Sequence, residues 1–268
     1  MPAAGVMGSP IAHSLSPALH LAAYRSLGLP WTYVAREVDE AALPEALAGL
    51  GPDWVGVSLT MPLKQAVLPL LDEVSDLARD VGAVNTVTFG PGAWRSGDNT
   101  DVYGITAALR AAGVEDGRGA VVLGGGATAA SAVAALRELG EQTATLVVRS
   151  RERARGVEAA AERLGVRVRL ASWDQAGPLA ACAPVVVSTV PPGAADRIRL
   201  NVSTAGVLLD VVYRPWPTAL AGAWQRAGGV AVPGLEMLVH QAAAQVRAWT
   251  GEWPDLQQMM RAAQAQTA

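Results

Sequence analysis

The chain has 268 residues, 51% of them hydrophobic and 17% charged, with a formal net charge of −3. That length supports one large or two modest domains with buried cores. The slight acidity excludes the basic footprint of a nucleic-acid binder or of a protein drawn to anionic membranes. A single cysteine, Cys182, excludes an internal disulfide framework and fits a reducing, cytoplasmic setting.

Cys182 lies in an apolar stretch and is expected as a small core residue rather than a nucleophile. The N-terminus shows no basic leader, and His13, Ser14 and Ser16 interrupt its early apolar residues, so no secretory signal is read there. Residues 119–136 form an uncharged run of nearly membrane-spanning length. Three glycines, Gly124, Gly125 and Gly126, break it, and its halves read as a strand and a helix.

Ala3 to Met7 is a short apolar strand. The loop after it is dense in hydroxyls, and Ser16 followed by Pro17 reads as the N-cap and first residue of a helix through about Leu27. Ser14 and Ser16 serve capping and turn formation on the plainest reading. They also suit hydrogen bonding to a hydroxylated or carboxylated small molecule at a helix N-terminus. His13 and His20 lack a convincing metal spacing and read as packed or hydrogen-bonded structural histidines, so no metal site is expected. Thr32 to Val38 is a second strand, Leu43 to Leu50 a short helix, and Trp54 to Leu59 a third strand. Helices separating strands predict a parallel sheet.

Pro62 stops the third strand and opens a helix, which puts Lys64 in its first turn. Lys64 is the only lysine; the other twenty basic residues are arginine. A guanidinium does not give up its proton in a protein, whereas an ammonium can. Lys64 is therefore a candidate proton donor and acceptor at a strand end, where active-site groups of open α/β folds collect. Gly82 to Val87 then begins a strand pair that turns at Phe89 to Gly92. Asp98-Asn99-Thr100-Asp101 leads into a helix through Ala111. Asn85 interrupts an apolar strand, which turn chemistry explains poorly. Asp101, at a helix start, is a candidate partner for Lys64.

Ala120 to Ser131 reads as a buried strand, a glycine turn and a small-residue helix to Leu139. Gly124-x-Gly126-x-x-Ala129 fits the dinucleotide fingerprint in its Ala-terminated form. The next strand, Thr143 to Val148, ends in Arg149-Ser150-Arg151-Glu152-Arg153. A hydroxyl among arginines, in place of a carboxylate, favours a 2′-phosphate and so NADP. Strands follow at Val166–Leu170, Pro184–Ser188 and Val207–Asp210. A helix from Leu235 to about Trp249 carries His240 and Gln241, and a last helix runs from Asp255 to Ala263.

With these pieces in place the chain resembles the shikimate dehydrogenase family. The matching blocks are Gly8-x-Pro10-Ile11-x-His13-Ser14-x-Ser16-Pro17, Val57-x-x-Thr60-x-Pro62-x-Lys64, Gly82-Ala83-Val84-Asn85-Thr86, Asn99-Thr100-Asp101, the Gly124 turn, Arg149-Ser150-x-x-Arg153, Asp210-x-x-Tyr213-x-Pro215 and Gly234-Leu235-x-Met237-Leu238-Val239-x-Gln241. They span nearly the whole chain. The resemblance implies NADPH-dependent reduction of 3-dehydroshikimate to shikimate, in aromatic amino-acid synthesis. It implies substrate contacts from Ser14, Ser16, Thr60, Lys64, Asn85, Asp101, Tyr213 and Gln241, with Lys64 and Asp101 catalytic. It implies cofactor contacts from Gly124, Gly125, Gly126, Ala127, Thr128, Arg149, Ser150, Arg153, Val211 and Gly234. The fold it implies is α/β in two domains. Residues 1–101 plus 236–268 form the substrate domain and 102–235 a Rossmann-type NADP-binding domain, with the site in an interdomain cleft.

Four positions depart from the family. Ser58 stands where Asn is usual, so one substrate hydrogen bond is expected to be shorter or water-mediated. The glycine turn reads Gly-Gly-Gly-Ala for Gly-Ala-Gly-Gly, Val148 replaces an Asn, and Ser188-Thr189-Val190-Pro191 replaces Asn-Ala-Thr-Pro. A quinate-oxidising paralogue using NAD or NADP is the nearest alternative, and a catalytically silent sensor is one of a different class. Nothing in the sequence selects between monomer and homodimer.

Overall fold

A computed structural model describes residues 1–200 and 206–267. Two units divide the chain: Met1–Thr100 with Val239–Ala268, and Asp101–Leu238.

In the first unit, β1 (Ala3–Gly8), α1 (Ser16–Ser26), β2 (Thr32–Glu37), α2 (Leu43–Ala48) and β3 (Trp54–Leu59) follow the expected order closely. α3 (Leu63–Ala66) starts directly after Pro62. β4 (Glu73–Val74) and α4 (Asp76–Val81) come next, and the latter is capped by the Ser75 hydroxyl. The hairpin β5 (Thr86–Phe89) and β6 (Arg95–Asp98) completes a six-stranded sheet of order β2-β1-β3-β5-β6-β4. This sheet is mixed, not parallel. β1, β2 and β3 run parallel, but β5 is antiparallel to both β3 and β6. A five-residue turn joins β5 to β6, too short for the crossover a parallel pair needs.

Side chains alternate between the two faces of this sheet. Val57, Leu59 and Val87 pack with Leu43, Leu47, Leu63 and Val67 on one face. Gly56, Ser58 and Thr86 point to the other, where they meet the C-terminal helix α10 (Gly234–Thr250), itself followed by α11 (Leu256–Thr267). His20 lies on that second face, fully buried and stacked on Tyr33 with ring centroids 4.0 Å apart. His13, by contrast, is exposed rather than packed. Ser16 is not an N-cap. Leu15 holds that position without a side-chain cap, and it is Ser14 Oγ that accepts the Ser16 N–H, at 3.3 Å.

The second unit is a doubly wound parallel sheet. Its strands are β7 (Val121–Leu123), β8 (Thr143–Val148), β9 (Arg167–Ser172), β10 (Val185–Ser188), β11 (Val207–Asp210) and β12 (Val230–Pro233). The order is β12-β11-β10-β7-β8-β9, with every pair parallel. Read from β7 as the first strand, this is the 3-2-1-4-5-6 order of a Rossmann fold, and the direction of winding switches between β7 and β10. α5 (Thr100–Ala111) leads into β7, and α6 (Ala127–Glu138), α7 (Arg151–Leu164), α8 (Ala176–Cys182) and α9 (Ala219–Arg226) connect the strands. Cys182, expected in the core, is exposed at the end of α8; Ala176, Ala180 and Ala183 are the small residues that pack there instead.

Candidate active site

The reversal of β5 decides what collects at one edge of the first sheet. β1 and β3 are parallel, so the loops that leave them emerge on the same side. Those loops carry Ser14 and Ser16, and Thr60 and Lys64. Ser9 N–H donates to the Met61 carbonyl at 3.0 Å and Thr60 N–H to the Met7 carbonyl at 3.0 Å, tying the loops together. β5, running the other way, begins at this edge, and β6 ends there; Thr86 is paired with both Ser58 and Asp98. Asn85 precedes β5, while Asn99 and Thr100 follow β6.

Backbone bonds bring these groups into register. Val84 N–H donates to the Lys64 carbonyl at 2.8 Å, which pins the first turn of α3 against the residue before Asn85. Asn85 is 2% exposed. Its Oδ1 accepts the Thr100 N–H at 2.8 Å, and its Nδ2 donates to Gln241 Oε1, on α10, at 3.2 Å. Asn99 Nδ2 donates to the Ala83 carbonyl at 2.8 Å. Ser14, Thr60 and Lys64 are half-buried, and Ser16 is buried. The first unit thus gathers Ser14, Ser16, Thr60, Lys64, Asn85 and Gln241, a set of hydroxyls, amides and one ammonium suited to a polyhydroxylated anion. Asp101 and Tyr213 belong to the second unit. Asp101 is buried in the first turn of α5. Tyr213 is half-buried, and burial pushes its phenol up.

In the second unit the glycine turn leaves β7 at the switch point, where dinucleotides bind in such sheets. Gly124 has φ +120°, and a Cβ there would come within 2.4 Å of Thr189 Oγ1. Thr189, at the end of β10, is held in place by bonds from its N–H and hydroxyl to the Leu123 carbonyl. A Cβ on Gly125 would meet the Arg153 carbonyl at 2.8 Å, so the turn packs against the start of α7. Gly126 differs: a Cβ there would meet nothing within 4 Å. It precedes α6, whose N-terminus, at Ala127 and Thr128, has no side-chain cap. An open space facing the positive end of a twelve-residue helix fits a pyrophosphate.

Arg149 and Arg153 are exposed beside that turn, flanking Ser150, the N-cap residue of α7. The Arg149 guanidinium lies 5.8 Å from the ring centroid of Trp173. This aromatic partner went unread in the sequence because it lies one strand further on, past β9. Val211 N–H donates to the Ser188 carbonyl at 2.9 Å. A Cβ on Gly234 would lie 2.0 Å from the Val211 oxygen, so only glycine lets β12 pass into α10 there. Asp210 is buried below this pair; burial raises its carboxyl, against the opposing bond from Thr218 Oγ1 at 2.7 Å. Among the described residues, no three His, Cys, Asp or Glu side chains gather so as to hold a metal ion.

A Rossmann-type unit with an open glycine turn, in one chain with an α/β unit whose polar edge carries a single ammonium, defines a dinucleotide-dependent oxidoreductase. Comparison with known proteins narrows the class. The model of the shikimate dehydrogenase substrate binding domain matches residues 6–87, and that of the shikimate 5′-dehydrogenase C-terminal domain matches residues 234–264. The chain is 39% identical to the shikimate dehydrogenase (NADP(+)) of Cereibacter sphaeroides, over 98% of this chain and 96% of that protein. The crystal structure of Mycobacterium tuberculosis shikimate dehydrogenase superimposes with a TM-score of 0.90 at 43% identity, covering 99% of this chain and 100% of that one. Shikimate 5-dehydrogenase from Thermus thermophilus, solved with NADP(H) and shikimate, gives 0.87 at 36% identity, with coverage of 99% and 100%. The chain belongs to the shikimate dehydrogenase family.

Proposed function

We propose that this protein catalyses the reversible, NADPH-dependent reduction of 3-dehydroshikimate to shikimate in aromatic amino-acid synthesis. The observation that supports this best is the single sheet edge that gathers Ser14, Ser16, Thr60, Lys64, Asn85 and Gln241. These groups offer the donors and acceptors that a carboxylated polyol needs. The cofactor would be held by Gly124, Gly125, Gly126, Ala127 and Thr128 around its pyrophosphate, and by Val211 and Gly234 beyond. Arg149, Ser150 and Arg153 would take the 2′-phosphate. When bound, NADPH supplies a hydride to the ketone carbon. Lys64 delivers a proton to the oxygen as the carbonyl becomes a hydroxyl, and regains one from solvent. Asp101 holds and orients the ammonium; Tyr213 completes the substrate contacts. Among the described residues no helix is long and apolar enough to cross a membrane. Separately, we place the protein in the cytoplasm, a reducing setting that its single cysteine fits.

The test is a four-way comparison of rates with shikimate and quinate, each with NADP+ and NAD+. The fastest turnover is expected with shikimate and NADP+; a preference for quinate and NAD+ would overturn the assignment. Lys64→Arg keeps the charge but not the transferable proton. Its turnover should fall about 10²–10⁴-fold, while shikimate affinity changes far less.

A further inference from the structure

Gln245 lies one helical turn after Gln241 on α10, so the two share a face. It is 1% exposed and belongs to no group assigned above. Its Nε2 donates to the Asn85 carbonyl at 3.1 Å and to Thr86 Oγ1 at 3.0 Å. Its Oε1 accepts from Ser58 Oγ at 2.7 Å, and Ser58 accepts from the Tyr33 hydroxyl at 2.7 Å. Thr86 Oγ1 in turn donates to Asn85 Oδ1 at 2.7 Å.

The direction of every bond in this series follows from two backbone groups. The Asn85 carbonyl can only accept, so the end of Gln245 that faces it must be the NH2. Oε1 then faces Ser58, which must donate, and Tyr33 must donate to Ser58. The Thr100 N–H can only donate, so the end of Asn85 that faces it must be Oδ1. Nδ2 is then turned to Gln241, whose facing end must be Oε1. The series runs one way, from Tyr33 through Ser58, Gln245, Thr86 and Asn85 to Gln241, with no amide able to flip without setting two acceptors or two donors face to face.

We infer that Gln245 is a positioning residue of the substrate site: with Ser58 and Thr86 it holds Asn85 in place, so that the Asn85 amide, oriented by the Thr100 N–H, sets which end of the Gln241 amide faces the ligand. This rests on the reading of Asn85 and Gln241 as substrate contacts. It also gives Ser58 a role different from the one expected. Its hydroxyl is spent on Tyr33 and Gln245 and acts as a link within the protein, not as a shortened substrate contact.

Substrate contacts held equally in ground and transition states show in KM and not in kcat. Gln245→Met keeps the volume and removes the amide. We expect KM for shikimate to rise about 5- to 30-fold, the scale of one or two buried hydrogen bonds lost. kcat and KM for NADP+ should stay within about twofold by the same argument. Ser58→Ala, a smaller change, should move KM in the same direction. Trp249→Phe is the comparator. Trp249 Nε1 donates to the Val87 carbonyl at 3.3 Å, so it too ties α10 to β5, but away from Asn85. That variant should lose thermal stability with KM unchanged. An unmoved shikimate KM in Gln245→Met and Ser58→Ala would overturn the role of Gln245, as would equal KM shifts in Trp249→Phe. Wild-type turnover of shikimate in the same assay checks the reading beneath, and its absence would sink both.

Discussion

Two alanine substitutions two residues apart separate the structural and binding roles of the glycine turn. At Gly126 the backbone has φ −96° and ψ −171°, an extended conformation open to any residue, and an added Cβ meets nothing within 4 Å. Gly126→Ala should therefore fold as well as the parent. Its methyl would occupy the space in front of the α6 N-terminus and push a pyrophosphate off the helix N–H groups. Charge-assisted hydrogen bonds of this kind are worth about 1.5–3 kcal/mol, so KM for NADP+ should rise roughly 10- to 150-fold. At Gly124, φ +120° is a glycine conformation, and the new Cβ would press on Thr189 Oγ1. Gly124→Ala should cost about 1–3 kcal/mol in backbone strain alone, seen as a melting temperature several degrees lower. Initial rates against NADP+ concentration, with thermal melts of both variants, read the two effects separately. A Gly126→Ala enzyme with parental KM would refute the phosphate site. Equal melting losses in both variants would refute the distinction between them.

Arg149→Ala and Arg153→Ala should each raise KM for NADP+ about tenfold, on the scale of one lost charge-assisted contact, and leave the slower NAD+ reaction unaltered. A parallel loss with NAD+ would place these arginines elsewhere than on the 2′-phosphate. His20 supplies a pH prediction. Burial lowers its pKa from 6.5 to about 4, against the pull of the Ser16 carbonyl, to which Nδ1 donates at 2.8 Å. The unfolded chain therefore binds this proton more readily than the fold does. Stability is full above about pH 6.5 and is lost as the pH falls toward 4, by at most about 1.4 kcal/mol per pH unit. His20→Phe should be less stable at pH 7, yet lose less between pH 7 and 4.5 in urea denaturation. Parallel curves for the two proteins would show that His20 does not titrate in this window.

Much of the second unit is legible in the sequence because its signals are local. A strand followed by a glycine turn and a small-residue helix needs no distant partner to be read, and β8 and β11 are bounded to the residue. What escapes depends on contacts made far away in sequence. Trp173 meets Arg149 across a strand, and Thr189 locks Gly124 from the end of β10. Gln245 reads as one more polar residue on an amphipathic helix, although its one-turn spacing from Gln241 is an available signal. Cys182 and His13 are misplaced for the opposite reason. Apolar neighbours suggest burial for Cys182, but a helix end exposes it, and the loop after β1 exposes His13.

The sheet direction carries more consequence than any single misplaced residue. Had β5 run parallel to β3, as alternating strands and helices suggest, its first residues would lie at the far edge of the sheet. With a rise of about 3.3 Å per residue, that is roughly 10 Å or more from the loops that follow β1 and β3. Asn85 would then be out of reach of Gln241, and the Lys64 carbonyl could not take the Val84 N–H. The short turn at Gly90 to Trp94 fixes only that β6 runs back beside β5, since so few residues can join only antiparallel neighbours. That turn, which carries no functional side chain of its own, brings the end of β6 back to the edge where β5 starts, beside the loop of Thr60 and Lys64. The chemistry assigned to this edge therefore depends on a topological feature, and lengthening the turn with inserted glycines should leave Asn85 in place for as long as β5 keeps its register with Ser58.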